Sequence, residues 1–353
     1  MRHVWVIVTM FIFILSGCGL LGGEKATKEI DPPKDVTYVE NGQSLQEKAA
    51  EKEKATETEK ATETVQRELY LIDKNGFVVP QTFALPKTDA AAKQVLEYLV
   101  ENGPISELLP NGFRAVLPAD TQVLSVNLKQ DGTLVIDFSK EFANYRPEDE
   151  KRILQAITWT VTQFDNVKRV KIRMNGHDQN VMPINGMPIS EELSRDDGIN
   201  IETNGVVDIT NTHPVIVYFL AQEGEQTYYV PVTRRVPNSE QDELAAVVKE
   251  LIKGPSYGSG LLSDFQADAK LLEAPKYENG KVMLNFNEAI YGSVEKNVVS
   301  THVLNCLVLS LTEQPGVESV AITVNGKAEL VDESGKPLSE PVTRPQNVNT
   351  GSF

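Results

Sequence analysis

The side chains best suited to nucleophilic or metal chemistry are few in this chain of 353 residues, which contains four histidines and two cysteines. The histidines are His3, His177, His213 and His302. No two of them have the spacing of metal ligands, and two cysteines cannot supply a thiolate zinc site. Only His177 has a carboxylate beside it, from Asp178. We therefore predict no catalytic, cofactor-binding or metal-binding residue in this set.

Short sequence motifs give no stronger sign of enzymatic chemistry. Ser293-Val-Glu-Lys296 fits the Ser-x-x-Lys pattern of penicillin-interacting enzymes, but the Ser-Asp-Asn and Lys-Thr-Gly motifs that accompany it are missing. Asp196-Asp197-Gly198 lacks the other ligands of a calcium loop and is interpreted as a linker turn. Cys306 falls in an apolar stretch and is predicted to be a packed core thiol. The sequence thus predicts a protein that is not an enzyme and binds no cofactor.

The amino terminus has the pattern of an export signal. A charged start precedes an apolar run, Val4–Leu15, which as a helix would be about 18 Å long, whereas about 20 residues are needed to cross a bilayer. The run leads into Leu15-Ser16-Gly17-Cys18, which resembles the bacterial lipobox. We predict a signal peptide at residues 1–17 and lipidation of Cys18, since two or more acyl chains form a stable anchor. The alternative, an incidental Cys18, would leave a reactive thiol exposed.

Composition limits the remaining function classes. The chain has 34 Lys and Arg against 50 Asp and Glu, a net charge of −16, which repels the phosphate backbone of nucleic acids. A hydrophobic fraction of 41% with 24% charged residues excludes a polytopic membrane protein. Residues 18–66 hold few large apolar residues and end in a run of Glu, Lys, Ala and Thr. They predict a disordered tether with a mean reach of about 40 Å, and a docking helix is the alternative.

Beyond the tether, the sequence repeats. Asp131–Phe138 recurs as Asn279–Phe286 at a shift of 148 residues, and Val170–Gly176 recurs as Val320–Gly326 at a shift of 150. Two further matches, at Leu99–Pro104 with Leu251–Pro255 and Met187–Ser190 with Lys336–Ser339, keep the same order. Such a pattern predicts two copies of one domain, at residues 67–200 and 213–345, with a linker at 201–212 and a flexible tail at 346–353.

Hydrophobic periodicity predicts an α+β fold for each copy. The order strand, helix, strand, strand, helix, strand implies two helices on one face of a small sheet. Copy one is predicted to have extended segments at Glu68–Ile72 and Phe77–Leu85, a helix capped by Asp89, strands at Gln122–Leu128 and Thr133–Phe138, a helix from Pro147, and a strand at Val170–Met174. The second helix of copy two is predicted to carry the stripe Val299, Val303, Leu307 and Leu311, with His302 at its edge. His177 has Lys327 as its counterpart, so the copies share no site there.

The lipobox, the charged tether and the duplicated domain with its Gly-Pro after the first helix and its strand ending in Asn-Gly resemble the GerM sporulation and germination lipoproteins of endospore-forming bacteria. The resemblance implies tandem GerMN domains similar to the ring-building motifs of secretion-system scaffolds. It implies a lipid-anchored protein on the outer face of the membrane surrounding the forespore. It also implies protein partners in the channel complex between mother cell and forespore. Cys18 is the only functional position that the resemblance transfers.

Three function classes follow. The first is a non-enzymatic module that scaffolds or localises the channel complex, with edge strands or a shared face of the two copies as contact surfaces. The second is an envelope enzyme that modifies peptidoglycan. Peptidoglycan is also a further candidate partner of the protein. The third is a solute-binding lipoprotein, in which two lobes close over a ligand.

Overall fold

The computed structural model describes residues 63–202, 210–291 and 297–350. The elements of copy one are β1 (Thr64–Asp73), β2 (Val78–Pro86), α1 (Ala91–Glu97), β3 (Phe113–Arg114), β4 (Val123–Leu128), β5 (Thr133–Phe138), α2 (Glu150–Val161), β6 (Arg169–Met174) and β7 (His177–Asp178). The elements of copy two are β8 (Thr212–Glu223), β9 (Gln226–Pro237), α3 (Glu243–Lys253), β10 (Lys276–Glu278), β11 (Lys281–Phe286), β12 (Val298–Val299), α4 (Thr301–Leu311), β13 (Ser319–Val324), β14 (Val331–Asp332) and β15 (Val342–Thr343). Short 3₁₀ helices lie at Pro104–Glu107, Lys140–Ala143, Pro147–Asp149, Arg195–Asp197 and Glu288–Ile290.

Each copy combines a long antiparallel hairpin with a four-stranded sheet. In copy one, β1 pairs with β2 and the sheet order is β4-β5-β6-β7. Strands β5 and β6 are parallel, so α2 forms the crossover between them. Copy two follows the same plan, with the hairpin β8–β9 and the order β10-β11-β13-β15, in which β11 and β13 are parallel. The predicted α+β fold in two tandem copies is confirmed.

The helices lie between two β layers. Helix α4 contacts β8 on one side and β13 on the other, and α2 contacts β1 and β2 of its hairpin. Ten of the twelve residues of α2 are therefore buried, among them Trp159. The expectation of helices on one face of a single sheet captures half of this arrangement, because the long hairpin covers the opposite face.

Polar side chains from α2 and the residues just after it cover part of the edge of β1 opposite β2, and β3 pairs with the end of the same edge. The backbone N–H of Tyr70 donates to Thr160 Oγ1 at 3.0 Å, and that of Glu68 donates to Gln163 Oε1 at 3.1 Å. In copy two the N–H of Tyr218 donates to the hydroxyl of Ser310 in α4 at 2.8 Å. Polar residues on an otherwise apolar helix thus satisfy buried strand N–H groups, which would be costly to leave unpaired.

Two helix boundaries predicted from the sequence are wrong. Helix α1 begins at Ala91 with Ala90 as its N-cap and no side-chain cap, so Asp89 does not fill that position. Val299 belongs to the short strand β12, because Ser300 caps α4 by accepting a hydrogen bond from the backbone N–H of His302 at 3.2 Å. The remaining apolar stripe of α4 is buried as predicted.

Candidate interaction site between the two copies

The residues considered above for chemistry do not converge in the structure. Asp178 is held by Arg173 Nε and Lys171 Nζ, each at 2.6 Å, and neither partner is His177. His213 Nδ1 lies 3.2 Å from an asparagine side chain, and His302 Nδ1 lies 3.1 Å from the Tyr229 hydroxyl. Across the described ranges, no group of three or more His, Cys, Asp or Glu residues could hold a metal ion.

The other positions singled out by the sequence have structural roles or lie outside the described residues. Cys18, Ser293 and Lys296 are outside them. Cys306 is 4% exposed, and burial raises the pKa of its thiol, which confirms a packed core cysteine. The Asp196-Asp197-Gly198 segment forms the predicted turn. In the described part of the chain, no helix is both long and apolar enough for a bilayer span.

The segment Gly254-Pro-Ser256-Tyr-Gly258 has the spacing of a nucleophile elbow, which places a reactive serine on a turn from strand to helix. Here the segment instead follows helix α3, and the Ser256 hydroxyl donates to Glu202 at 2.7 Å. Glu202 is in turn paired with Arg234 at 2.9 Å, so its carboxylate is already engaged. Ser256 therefore fastens the start of the linker and is not placed for catalysis.

The junction of the two copies brings together more polar groups than any of these motifs. The segment after copy one, Arg195–Glu202, which we call tail one, lies on β9 of copy two. Ile199 N–H donates to Thr233 Oγ1 at 2.8 Å, and Thr233 N–H donates back to the Ile199 carbonyl at 2.9 Å. The two copies are therefore joined by more than their linker.

The segment after copy two makes the reciprocal contact. Arg344–Asn349, which we call tail two, lies on β2 of copy one. The Thr82 hydroxyl donates to the Val348 carbonyl at 2.8 Å and accepts from the Val348 N–H at 2.9 Å. Val348 is 2% exposed, so residues 346–350 do not form the flexible tail expected from their composition. Packing against the other copy, which the local sequence does not reveal, orders them.

An asparagine in each tail ties β2 to β9. The Nδ2 group of Asn200 donates to one carbonyl in β2 and one in β9, at 2.7 and 2.8 Å, and its Oδ1 accepts from the Val78 N–H at 2.8 Å. Asn349 makes the matching three bonds, with the Tyr229 N–H as donor to its Oδ1 at 2.7 Å. Both residues have positive φ, 45° and 54°, a conformation that asparagine tolerates well. We call this pair the asparagine clamp.

A partly buried ionic cluster joins the starts of the two tails. Glu313, just after α4, accepts hydrogen bonds from Arg195 Nη1 and the Tyr218 hydroxyl, each at 2.8 Å. It also forms an ion pair with Arg344 Nη2 at 3.0 Å. Burial by itself would raise the pKa of Glu313, but the two guanidinium groups outweigh it and hold that pKa below its ordinary value. Arg195 also lies over the Trp159 ring, 4.4 Å from its centroid. The cluster is a structural tie in which one carboxylate is shared by two guanidinium groups.

A groove of about 1260 Å³ opens above this cluster, between the two copies. Its lining comes from the start of β1, the ends of α2 and α4 and both tails, including Gln66, Arg67, Gln163, Arg195, Glu313 and Arg344. Arg67 is 4% exposed and lies over the Phe164 ring, 5.4 Å from its centroid. Its Nε has no hydrogen-bond partner among the described residues. This groove is the candidate interaction site.

Comparison with known proteins agrees with the duplicated architecture. The profile of the Germane family, described as sporulation and spore germination, matches residues 68–180 and 216–330, more than half of the chain. The chain belongs to this family. It is 56% identical to the spore germination protein GerM of Bacillus subtilis (strain 168) over 349 residues, 96% of this chain and 95% of that protein. The solved structure of the tandem GerMN domains of the sporulation protein GerM from Bacillus subtilis matches 82% of this chain and 100% of its own, at 58% identity and a TM-score of 0.78.

These matches confirm the family resemblance and the tandem GerMN fold. They support a role for this Germane family member in sporulation and spore germination. The matched proteins are named for that role and for their domains, and their names carry no enzymatic activity. The motifs did not predict the reciprocal tails or the ionic cluster, although the repeat itself pairs Arg195 with Arg344 at a shift of 149.

Proposed function

We propose that this protein is a non-enzymatic lipoprotein that supports sporulation and germination by scaffolding or localising an envelope-spanning complex between mother cell and forespore. The observation that carries the proposal is the junction, where both tails cross to the other copy and fasten the two domains as one unit. The carboxylate at its centre, Glu313, is paired with Arg195 and Arg344. A fixed two-domain body with an open groove suits the holding of other proteins.

Anchoring through Cys18 is part of the proposal. A lipidated Cys18 would hold the domains on the outer face of the membrane surrounding the forespore, and the acidic chain would contact that membrane only through its lipid. In sporulating cells, Cys18→Ala should move the protein from the membrane fraction to the soluble fraction of the intermembrane space. Cys306→Ser is the matched control, because that thiol is buried and should leave fractionation unchanged. Full membrane retention of the Cys18→Ala protein would contradict the anchor.

Crosslinking in intact sporulating cells tests the scaffolding role. Exposed lysines of the wild-type protein should yield crosslinks to proteins of the channel between the two cells. The same proteins should lose their forespore localisation when the chain is deleted. Capture of only the signal-processing machinery and unrelated surface proteins would contradict the proposal.

The groove between two domains is also the one observation that favours the solute-binding alternative. Solute-binding proteins close by a hinge between their lobes. Here the asparagine clamp and the Glu313 cluster fix the copies to each other, which opposes such closure. A thermal-shift screen with envelope metabolites should therefore find no small molecule that strongly stabilises the purified protein, and one strong hit would favour this alternative.

A further inference from the structure

The two copies differ at one strand edge. The edge of β1 opposite β2 presents the N–H groups of Glu68 and Tyr70, which donate to Gln163 and Thr160. Because successive N–H groups of a strand alternate between its two edges, the N–H of Gln66 points to the same edge. Gln66 is exposed and lines the groove. The counterpart of Gln66 in β8, at a shift of 148, is Pro214, which has no N–H to offer. Proline is a common device for closing an edge strand, and copy one lacks it at this position.

The next residue, Arg67, also differs between the two copies. Arg67 is 4% exposed, its Nε is without a partner among the described residues, and its hydrogen bond to the Gln66 carbonyl is long at 3.4 Å. The structure gives it no ion-pair partner within the described ranges, and burial lowers the pKa of its guanidinium with no carboxylate to oppose the effect. Its counterpart in β8 is Val215, which is 2% exposed. Copy two therefore fills this position with an ordinary core residue.

A buried guanidinium without a counter-ion is costly unless a ligand completes it. The other arginines of the groove, Arg195 and Arg344, are already paired with Glu313. Of the three arginines in the groove, Arg67 is therefore the one with which a carboxylate from a ligand would form the most favourable new ion pair. One residue away, the open strand edge at Gln66 offers main-chain hydrogen bonds to the backbone of a ligand.

We propose that the groove binds an extended segment of a partner protein, which adds as a strand to the edge of β1 at Gln66 and places an Asp or Glu side chain on Arg67. The inference rests on the proposed function and specifies its contact. Main-chain hydrogen bonds to the edge supply affinity, and the charge-assisted bond to Arg67 supplies the preference for an acidic residue. A small anion would complete Arg67 but leave the edge of β1 unpaired.

Copy two provides the substitutions that separate the two contributions. Gln66→Pro closes the edge as Pro214 does, without removing a charge, and Arg67→Val removes the charge as Val215 does. Both replacements occur naturally at the equivalent position, so both variants should fold. The probe is an array of octapeptides of alternating Thr and Val in which one Thr is replaced by Glu at each position in turn, with Gln in its place as the neutral set.

The full-length protein in detergent micelles should bind the best Glu peptide about tenfold more tightly than its Gln partner, the value of one charge-assisted hydrogen bond. The affinity of Gln66→Pro for both the Glu and the Gln peptides should fall at least about tenfold, because the substitution removes a main-chain hydrogen bond and the strand pairing that depends on it. Arg67→Val should keep the binding of the Gln set and bind both sets equally.

Several outcomes would overturn the inference. No peptide binding by the wild-type protein, or equal binding by the wild-type and Gln66→Pro proteins, would exclude strand addition at this edge. Stabilisation by inorganic phosphate alone that disappears in Arg67→Val would show a small-anion site. Concentration-dependent dimerisation that Gln66→Pro abolishes would show a second copy as the occupant. If crosslinks to the channel proteins persist in Gln66→Pro cells, this site is wrong while the proposed function stands.

Discussion

Replacing Glu313 by glutamine should loosen both tails at once, because this carboxylate is their common anchor. Glutamine keeps the shape of the side chain and is the residue that copy one carries at the equivalent position, Gln163. The substitution removes the charge that faces Arg195 and Arg344. The Tyr218 hydroxyl can still donate to the side-chain oxygen of the glutamine, which is a neutral acceptor. Any effect therefore reports electrostatics and not lost volume.

The magnitude follows from burial and from the bonds that survive. Removing one partner from a buried ion pair costs about 3–5 kcal/mol, because the other charge stays buried without compensation. Here the Glu313 side chain is 5% exposed, but the side chains of Arg195 and Arg344 are 29% and 26% exposed, so water recovers part of the loss. A glutamine oxygen also retains one neutral hydrogen bond, worth about 1 kcal/mol. We expect the free energy of unfolding to fall by about 2–3 kcal/mol.

Urea denaturation followed by tryptophan fluorescence measures this change, since Trp159 stacks on Arg195. Hydrogen exchange should show faster opening at the amides of both Ile199 and Val348, one in each tail. Glu318→Gln is the matched control, because Glu318 is an exposed carboxylate of the same groove. A loss below about 0.5 kcal/mol, the usual range for an exposed site, or faster exchange in one tail only, would refute the common-anchor reasoning.

The same carboxylate gives the junction a pH dependence with a definite sign. The folded-state pKa of Glu313 lies below its ordinary value of 4.5, so the unfolded chain binds this proton more readily. Its stabilisation is complete above that ordinary value and is lost as the pH falls through the lower, folded-state pKa. In Glu313→Gln this part of the acid sensitivity should disappear, and an unchanged pH profile of stability would contradict the assignment.

Three further predictions concern the junction and the core. Asn200→Ala and Asn349→Ala should each cost about 2–3 kcal/mol in urea denaturation, because each removes three hydrogen bonds and strains a positive φ. Gly198→Ala should lower the thermal midpoint by several degrees, since φ is +78° and the added Cβ would lie 2.9 Å from the Thr233 hydroxyl. Cys306 should react with a thiol reagent at pH 8 only after urea unfolds the protein, because burial raises its pKa.

Local patterning was enough to predict most of the regular structure. The strand predicted at Thr133–Phe138 is β5, and the Val170–Met174 prediction falls within β6. The turn after β6 has Asn175 and Gly176 both at positive φ, as an Asn-Gly pair favours. Alternation, helical periodicity and turn residues act over a few neighbouring positions, so the sequence displays them directly. The repeat of those same patterns established two tandem copies.

The ends of helices and the side chains that helices bury were harder to predict from the sequence, because they depend on which other groups are available as hydrogen-bond partners. Asp89 has the chemistry of an N-cap, but the helix begins one residue too late for it to serve. Helix α2 looks amphipathic, with polar residues opposite its apolar stripe, yet its Thr160 and the Gln163 that follows it turn toward the edge of β1. A polar helical position is expected to face solvent unless one knows which backbone groups lie against it.

Patterns along the chain sufficed to infer the duplication, the class of each domain, the predicted anchor at Cys18 and the scarcity of catalytic motifs. They did not show how the copies are joined, or which strand edge a partner could bind, and both emerged from the folded arrangement. Arg195 and Glu313 are 118 residues apart, and Gln66 is distinguished from Pro214 only once both are seen on a strand edge. Charge pairing and edge pairing are through-space properties, so their meaning appears when folding brings distant segments together.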